Sequence, residues 1–409
     1  MAHFRLAFVL IVLLWIAGLA AAGQFSKVTL PFAELRAIYA GSGNHIGWLL
    51  SIISLLGALF GAVAGALVGG LGPRRVLIFG LATGGAISLW QALLPAYPLM
   101  LASRVVEGVS HLAIVVAAPT LIVQISPDRA RGAAMALWST FFGAAFILTA
   151  WIGPPLVRQF GVGGLFAGHG ALMLGMAVVL GVLLHRHLSA GPDAKAHDGP
   201  EPSVALRPAK VLAQLAHTIR SPAISAPGVG WVFYTMSFVS MFALLPDLLP
   251  PESRARAVAT WPVITTAVAL IGLPLLLRAV SGSVLYMVGF AGAALTVGWA
   301  LASVLGGTEP SWMTFSLALF LWLGLIQGSA FASVPELNTT PDDQALAYGL
   351  LAQTGNIGNL TGTPLFLLVL ATGGPTALLA GLTGIYLMAL VALWHLRRKR
   401  LARPPVAQA

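Results

Sequence analysis

The sequence contains no cysteine. That excludes disulfides, thiolate chemistry and cysteine metal sites, and it carries no information about compartment. Charge is scarce as well: 8% of the residues are Asp, Glu, Lys or Arg, against about 25% in a soluble protein. Strand-like alternation of polar and apolar residues is missing, which excludes a transmembrane β-barrel. There is no G-x-x-x-x-G-K-S/T loop, so ATP does not drive the protein directly. Ser283 has neither a nucleophile-elbow context nor a histidine placed to activate it. No pair of metal ligands stands at metal spacing. An enzyme, a cofactor and a metal are therefore not expected.

What remains is apolar. Of the 409 residues 58% are hydrophobic, and runs of about 20 residues, the length that crosses a bilayer as a helix, recur from end to end. The 46 Gly and 26 Pro suit close helix packing and kinks. The fold class is an all-α polytopic membrane protein. Twelve transmembrane helices are predicted, near 5–26, 45–70, 75–95, 98–123, 132–156, 163–185, 223–245, 257–279, 283–305, 312–334, 345–371 and 375–396. The first run is read as a retained span, although Ala20, Ala21 and Ala22 resemble a cleavage site.

The domain reading is an N-terminal six-helix bundle over 1–188, a cytoplasmic linker over 189–222 and a C-terminal six-helix bundle with a basic tail over 223–409. Within the linker, Leu206 to Arg220 reads as an amphipathic surface helix or a plain solvated one. The formal charge of +10 does not point to nucleic acid. The basic residues gather in short loops, the linker and the tail, a topology signal that puts both termini in the cytoplasm of a plasma or inner membrane.

One stretch departs from the apolar rule. Arg104, Glu107 and His111 lie at i, i+3 and i+7 within the fourth span, on one helix face. A charge at the bilayer centre costs about 2.5–3.5 kcal/mol on insertion scales, so the stripe must face protein or a water-filled cavity, and water access is expected. Glu107 is the sole acid placed within the membrane part of the first half. Burial disfavours its charged form and a neighbouring arginine favours it, which suits proton coupling, with Arg104 as partner and His111 as relay. The plainer reading is a structural ion pair and a packing histidine.

Gln24 and Lys27 sit at the outer end of span one. With Arg104, Lys27 would attract an anion; otherwise it reaches to the interface. Gln353, Asn356 and Asn359 recur at i, i+3 and i+6 on span eleven and must face protein or water. They, with Tyr234 of span seven, are candidate substrate contacts; interhelical hydrogen bonding is the alternative.

Ser126-Pro127-Asp128 before span five is echoed by Thr340-Pro341-Asp342 before span eleven, and Glu107-Gly108 by Gln327-Gly328. Two related halves imply a pseudo-two-fold arrangement with a site at their interface. Spans, linker and motifs together resemble the major facilitator superfamily over essentially the whole chain. After span two that family shows G-x-L-A-D-R-x-G-R-R. Here Gly65, Leu67, Gly72 and Arg74 fit, with Arg75 next, but Gly69 replaces the acid that helps latch the family's cytoplasmic gate. Arg104-x-x-Glu107-Gly108 resembles the family's R-x-x-Q-G on span four. Only Gly153-Pro154 remains of the antiporters' G-P-x-x-G-G on span five. The resemblance implies alternating access. The expectation is a monomeric secondary transporter, moving a small polar, anionic organic solute with protons. Efflux of drugs or metabolites by proton exchange is the first alternative, and a non-transporting membrane sensor or assembly factor the second.

Overall fold

The computed structural model describes residues 2–127, 130, 134–135, 137–138, 140–189, 216 and 218–402. Most of the expected surface helix over 206–220 and the start of the fifth span lie outside these residues. The described residues are helical with no strand, and the chain divides into two compact units, Met1–Arg207 and Pro208–Ala409.

In the first unit the elements are α1 (Ala2–Thr29), the short α2 (Phe32–Ile38), an interrupted second span, α5 (Pro73–Gln91), α6 (Tyr97–Ile125) and α7 (Phe141–Ser189). The interrupted span holds a 3₁₀ stretch (Ala40–Gly47), one turn α3 (Trp48–Ser51), a second 3₁₀ stretch (Ile52–Ser54) and α4 (Leu55–Leu71). The sequence predicts a single helix here. The second unit holds α8 (Pro222–Leu244), α9 (Pro251–Ala267), a π turn (Val268–Gly272), α10 (Leu273–Leu276), α11 (Gly282–Leu305), α12 (Trp312–Leu337) and α13 (Pro341–Leu401).

Nine stretches among the described residues are long and apolar enough to cross a membrane. Two of them are helix pairs: α7 is broken at Gly161 (φ 69°) and α13 at Gly374 (φ 62°), a left-handed conformation that glycine adopts without steric cost. Counting each as two spans and adding α5 gives twelve, the number read from the sequence. The protein is a multi-pass membrane protein.

Helix starts follow local chemistry. Thr340 caps α13, its side chain accepting from the Asp343 amide at 3.1 Å. Pro341 stands in the first turn with Asp342 and Asp343, where a missing N–H and negative charge both favour the helix. Part of the Ser/Thr-Pro-Asp repeat is thus helix-start chemistry. In the first unit, the Tyr39 hydroxyl donates to the Pro95 carbonyl at 2.9 Å, and burial pushes its phenol up to about 12. It therefore stays a donor across the physiological range.

The core of the first unit is built by α1, α5, α6 and α7, with Leu10, Leu14, Leu81, Leu121 and Leu180 fully buried. Above it, towards the ends of α1 and α5 and the start of α6, the same four helices turn polar. That change from apolar to polar positions the site.

Candidate functional site: a buried charge network

Lys27 lies inside α1, which continues to Thr29, beyond the expected end of the span near residue 26. Its Nζ pairs with Glu107 Oε1 at 2.7 Å and donates to Ser88 Oγ at 2.7 Å and Gln91 Oε1 at 2.8 Å. Glu107 Oε2 accepts from Arg104 Nη1 and from Gln91 Nε2 at 3.0 Å. Gln91 Nε2 also donates to Ser103 Oγ at 2.9 Å. One carboxylate therefore holds two cations, and a single amide stitches α5 to both partners of the Lys27–Glu107 pair.

Arg104 reaches two further helices. Its Nε donates to the Leu49 carbonyl at 2.8 Å, just ahead of the second 3₁₀ stretch, and Nη1 donates to the Gln24 carbonyl at 2.8 Å. Gly108, one turn on, lets α6 approach that irregular span: a Cβ there would lie 2.4 Å from the Ile53 carbonyl oxygen. The Arg-x-x-Glu-Gly spacing thus serves three contacts at once.

The expected water access is not what this conformation provides. Arg104 and Glu107 are wholly buried and Lys27 is 1% exposed. The charges are sealed among protein groups because opposite charges and main-chain carbonyls replace water, the condition under which buried ions persist. Arg104 Nη2 and Gln24 Oε1 are buried without a hydrogen-bond partner. Gln24 Nε2 donates to Ser110 Oγ at 2.8 Å.

His111 turns to the main chain rather than to Glu107. Its Nδ1 lies 3.1 Å from the Ala21 carbonyl, and its ring meets Phe25 edge-on at 5.0 Å. The histidine at the network is His169 of α7, with Nδ1 3.1 Å from Ser88 Oγ and Nε2 2.8 Å from the Ala20 carbonyl. Sequence reasoning missed Ser88, Gln91 and His169. A signal existed: Ser88 and Gln91 stand at i, i+3 near the end of an apolar helix, and His169 is a lone imidazole between two glycines.

In the second unit Tyr234 is buried and donates to Gln327 Oε1 at 3.1 Å. Its ring stacks on Trp231 at 4.4 Å. Gln353, Asn356 and Asn359 are all half-buried. Asn356 Nδ2 bonds the Ala352 carbonyl of its own helix at 2.8 Å, while Asn359 Oδ1 is buried and unsatisfied. Of the gate-motif residues, Gly65 and Gly69 lie within α4, Gly72 (φ 86°) makes the turn into α5, and Arg74 and Arg75 stand in its first turn. Arg74 Nη1 lies 3.3 Å from His185 Nδ1. Among the described residues no group of three or more His, Cys, Asp or Glu is placed to hold a metal ion.

Comparison with known proteins agrees with this architecture. The chain is 31% identical over 120 residues, 29% of its length and 24% of the relative's, to the multidrug efflux pump LfrA of Mycolicibacterium smegmatis. It is 30% identical over 129 residues, 32% of its length and 22% of the relative's, to the uncharacterized MFS-type transporter Rv1250 of Mycobacterium tuberculosis. These matches span less than a quarter of each curated relative. The family profile of the Major Facilitator Superfamily matches residues 10–337. On that match, which covers most of the sequence, the chain belongs to the Major Facilitator Superfamily.

Proposed function

We propose that this transporter moves a small polar, anionic organic solute together with protons, by alternating access. It sits as a monomer in a plasma or inner membrane with both termini cytoplasmic. The observation that carries the reading is the Lys27–Glu107–Arg104 group, two cations sharing one buried carboxylate. A proton on Glu107 removes the anion from between them. An uncompensated buried charge costs several kcal/mol, so the protonated network must open to water or take up another anion. Proton binding and anion binding are then linked, as symport requires. The unsatisfied Arg104 Nη2 is a donor for a substrate carboxylate. In this reading Lys27 and Gln24 join Arg104 in meeting the solute once the network opens. Tyr234, Gln353, Asn356 and Asn359 supply neutral hydrogen-bonding groups from the second unit.

A binding screen by thermal shift tests the substrate class, comparing organic acids with amino acids, sugars and cationic dyes. A ligand at about 100 times its Kd stabilises by about 2.7 kcal/mol, so organic acids should raise the melting temperature. Stabilisation by bulky cationic dyes alone would replace this reading with efflux. The efflux reading has two supports: the similarity to LfrA, whose name describes a multidrug efflux pump, and the Trp231–Tyr234 stack with Phe331 against Trp231 at 5.2 Å. In proteoliposomes, Glu107→Gln should abolish accumulation driven by a pH gradient while exchange of bound solute persists. Full pH-driven accumulation by that variant would remove Glu107 from the coupling step.

A further inference from the structure

Ser88 has one proton and two acceptors competing for it. Its Oγ receives a hydrogen bond from Lys27 Nζ at 2.7 Å and lies 3.1 Å from His169 Nδ1 and 2.9 Å from the Phe166 carbonyl. At the other side of the imidazole, Nε2 stands 2.8 Å from the Ala20 carbonyl. A carbonyl only accepts, so Nε2 carries a proton. In the neutral ring Nδ1 then bears the lone pair and must accept from Ser88. In the imidazolium Nδ1 donates instead, and the Ser88 proton has the Phe166 carbonyl to turn to. A hydroxyl accepts two hydrogen bonds and donates one. Lys27, His169 and Phe166 therefore satisfy it completely once His169 is charged. In both protonation states the Ser88 proton and His169 Nδ1 each have a partner without movement of a helix.

We propose that Ser88 and His169 form a proton relay branching from the Lys27–Glu107 pair, with Ser88 as the hydroxyl switch and His169 as the terminal acceptor. The relay deepens the proton-coupled reading above and rests on it. In the forward step one Nζ–H bond of Lys27 breaks and its proton joins Ser88 Oγ. The original Ser88 proton passes to His169 Nδ1. The products are a neutral Lys27 amine and a His169 imidazolium, so the charge of the cluster is unchanged. Rotation of the new Ser88 hydroxyl from the amine to the Phe166 carbonyl completes the step.

The seat of the imidazole is built for this. Gly23 of α1 faces it, and a Cβ there would lie 2.8 Å from His169 Nε2 and Cδ2. The Lys27 ammonium also stands 4.9 Å from the centroid of the Phe166 ring. The charged groups acting on His169 are Lys27 from α1 and Glu107 and Arg104 from α6. His111, the imidazole singled out by the sequence, is tied to the Ala21 carbonyl and is not part of the relay.

The test uses the full-length protein in lipid nanodiscs with ¹⁵N-labelled histidine rings, the His169 signals being identified by their loss in His169→Gln. In the wild type Nε2 should carry the proton at neutral pH and Nδ1 should show an accepting lone pair. Ser88→Ala and Lys27→Met should each displace the pH at which Nδ1 protonates by about one unit, a tenfold change in proton affinity. Ser88→Thr, which restores the hydroxyl, should behave as wild type. Gly23→Ala should shift the Nε2 signal by crowding the ring, and it reports on the seat should Ser88→Ala not fold. An Nδ1-protonated neutral ring in the wild type, or a His169 titration indifferent to both Ser88→Ala and Lys27→Met, would overturn the relay. The infrared carboxylic C=O band of Glu107, assigned by its absence in Glu107→Gln, tests the underlying reading separately. Absence of that band on acidification sinks proton coupling at Glu107. Its presence beside an indifferent His169 sinks the relay alone.

Discussion

At the scale of the residue, Glu107 is the hinge of the site's energetics. It is the only anion touching Lys27 and Arg104 in the ion pairs found among the described residues. Glu107→Gln strands both cations, and breaking a buried pair by removing one partner costs about 3–5 kcal/mol. Lys27→Met leaves a neutral Arg104–Glu107 pair behind and should cost less. Thermal unfolding of the two variants side by side should therefore rank Glu107→Gln as the more destabilised; the reverse order would mean that the carboxylate is not the shared partner. The double variant should lose less than the sum of the two, since the residues are in direct contact. The Arg104–Glu107 face was legible in the sequence because ionisable residues at helical spacing in an apolar run have few places to go. Their seal from water was not, because it depends on Gln91 and Ser88, each an ordinary polar residue that gains its meaning only when α5 is packed against α1 and α6. The seat of Lys27 was hidden for a similar reason, since Gly23, one turn before it, matters only in admitting the His169 ring.

At the scale of the element, both units carry an irregular stretch where a glycine presses in. In the first unit it is the 3₁₀ stretch at Ile52–Ser54 beneath Gly108; in the second it is the π turn at Val268–Gly272 beneath Gly328. Added side-chain volume in a packed site costs about 1–3 kcal/mol. Gly108→Ala should fall at the upper end, because its Cβ would meet the rigid Ile53 carbonyl at 2.4 Å. Gly328→Ala should fall lower, since its nearest neighbour is the tip of the Leu273 side chain at 2.6 Å. Melting temperatures of the two variants check the order. The sequence revealed the spans and the Glu/Gln-Gly echo but neither irregularity, since the run from Leu49 to Leu71 is apolar enough to read as one helix. Gly161→Ala acts differently. Nothing lies within 4 Å of its Cβ position, so its cost should come from the positive-φ backbone alone (φ 69°, ψ 179°), about 1–3 kcal/mol, and the same melting experiment reads it.

At the scale of the whole molecule, the charge placed in short loops makes a topological claim that the absence of cysteine renders easy to test. Ser281, between α10 and α11, and Thr308, between α11 and α12, are both exposed. With the proposed orientation, a membrane-impermeant maleimide added outside intact cells should label Thr308→Cys and spare Ser281→Cys until the membrane is opened. Labelling of Ser281→Cys in intact cells would invert the orientation. The number of spans survived from sequence to structure because hydropathy and helix length are set by the bilayer and not by tertiary detail. One further property follows from the bond between the Tyr234 hydroxyl and the Gln327 amide oxygen. Gln327 answers Glu107 in the internal echo, yet a phenol bonded to an amide carries no ionic charge. An elementary charge crossing a membrane field is worth about 2.3 kcal/mol per 100 mV. Voltage therefore has a direct grip on the Lys27–Glu107–Arg104 group and finds no equivalent handle at its counterpart, so any electrogenic response should vanish with substitutions around α6 and persist through Gln327→Leu.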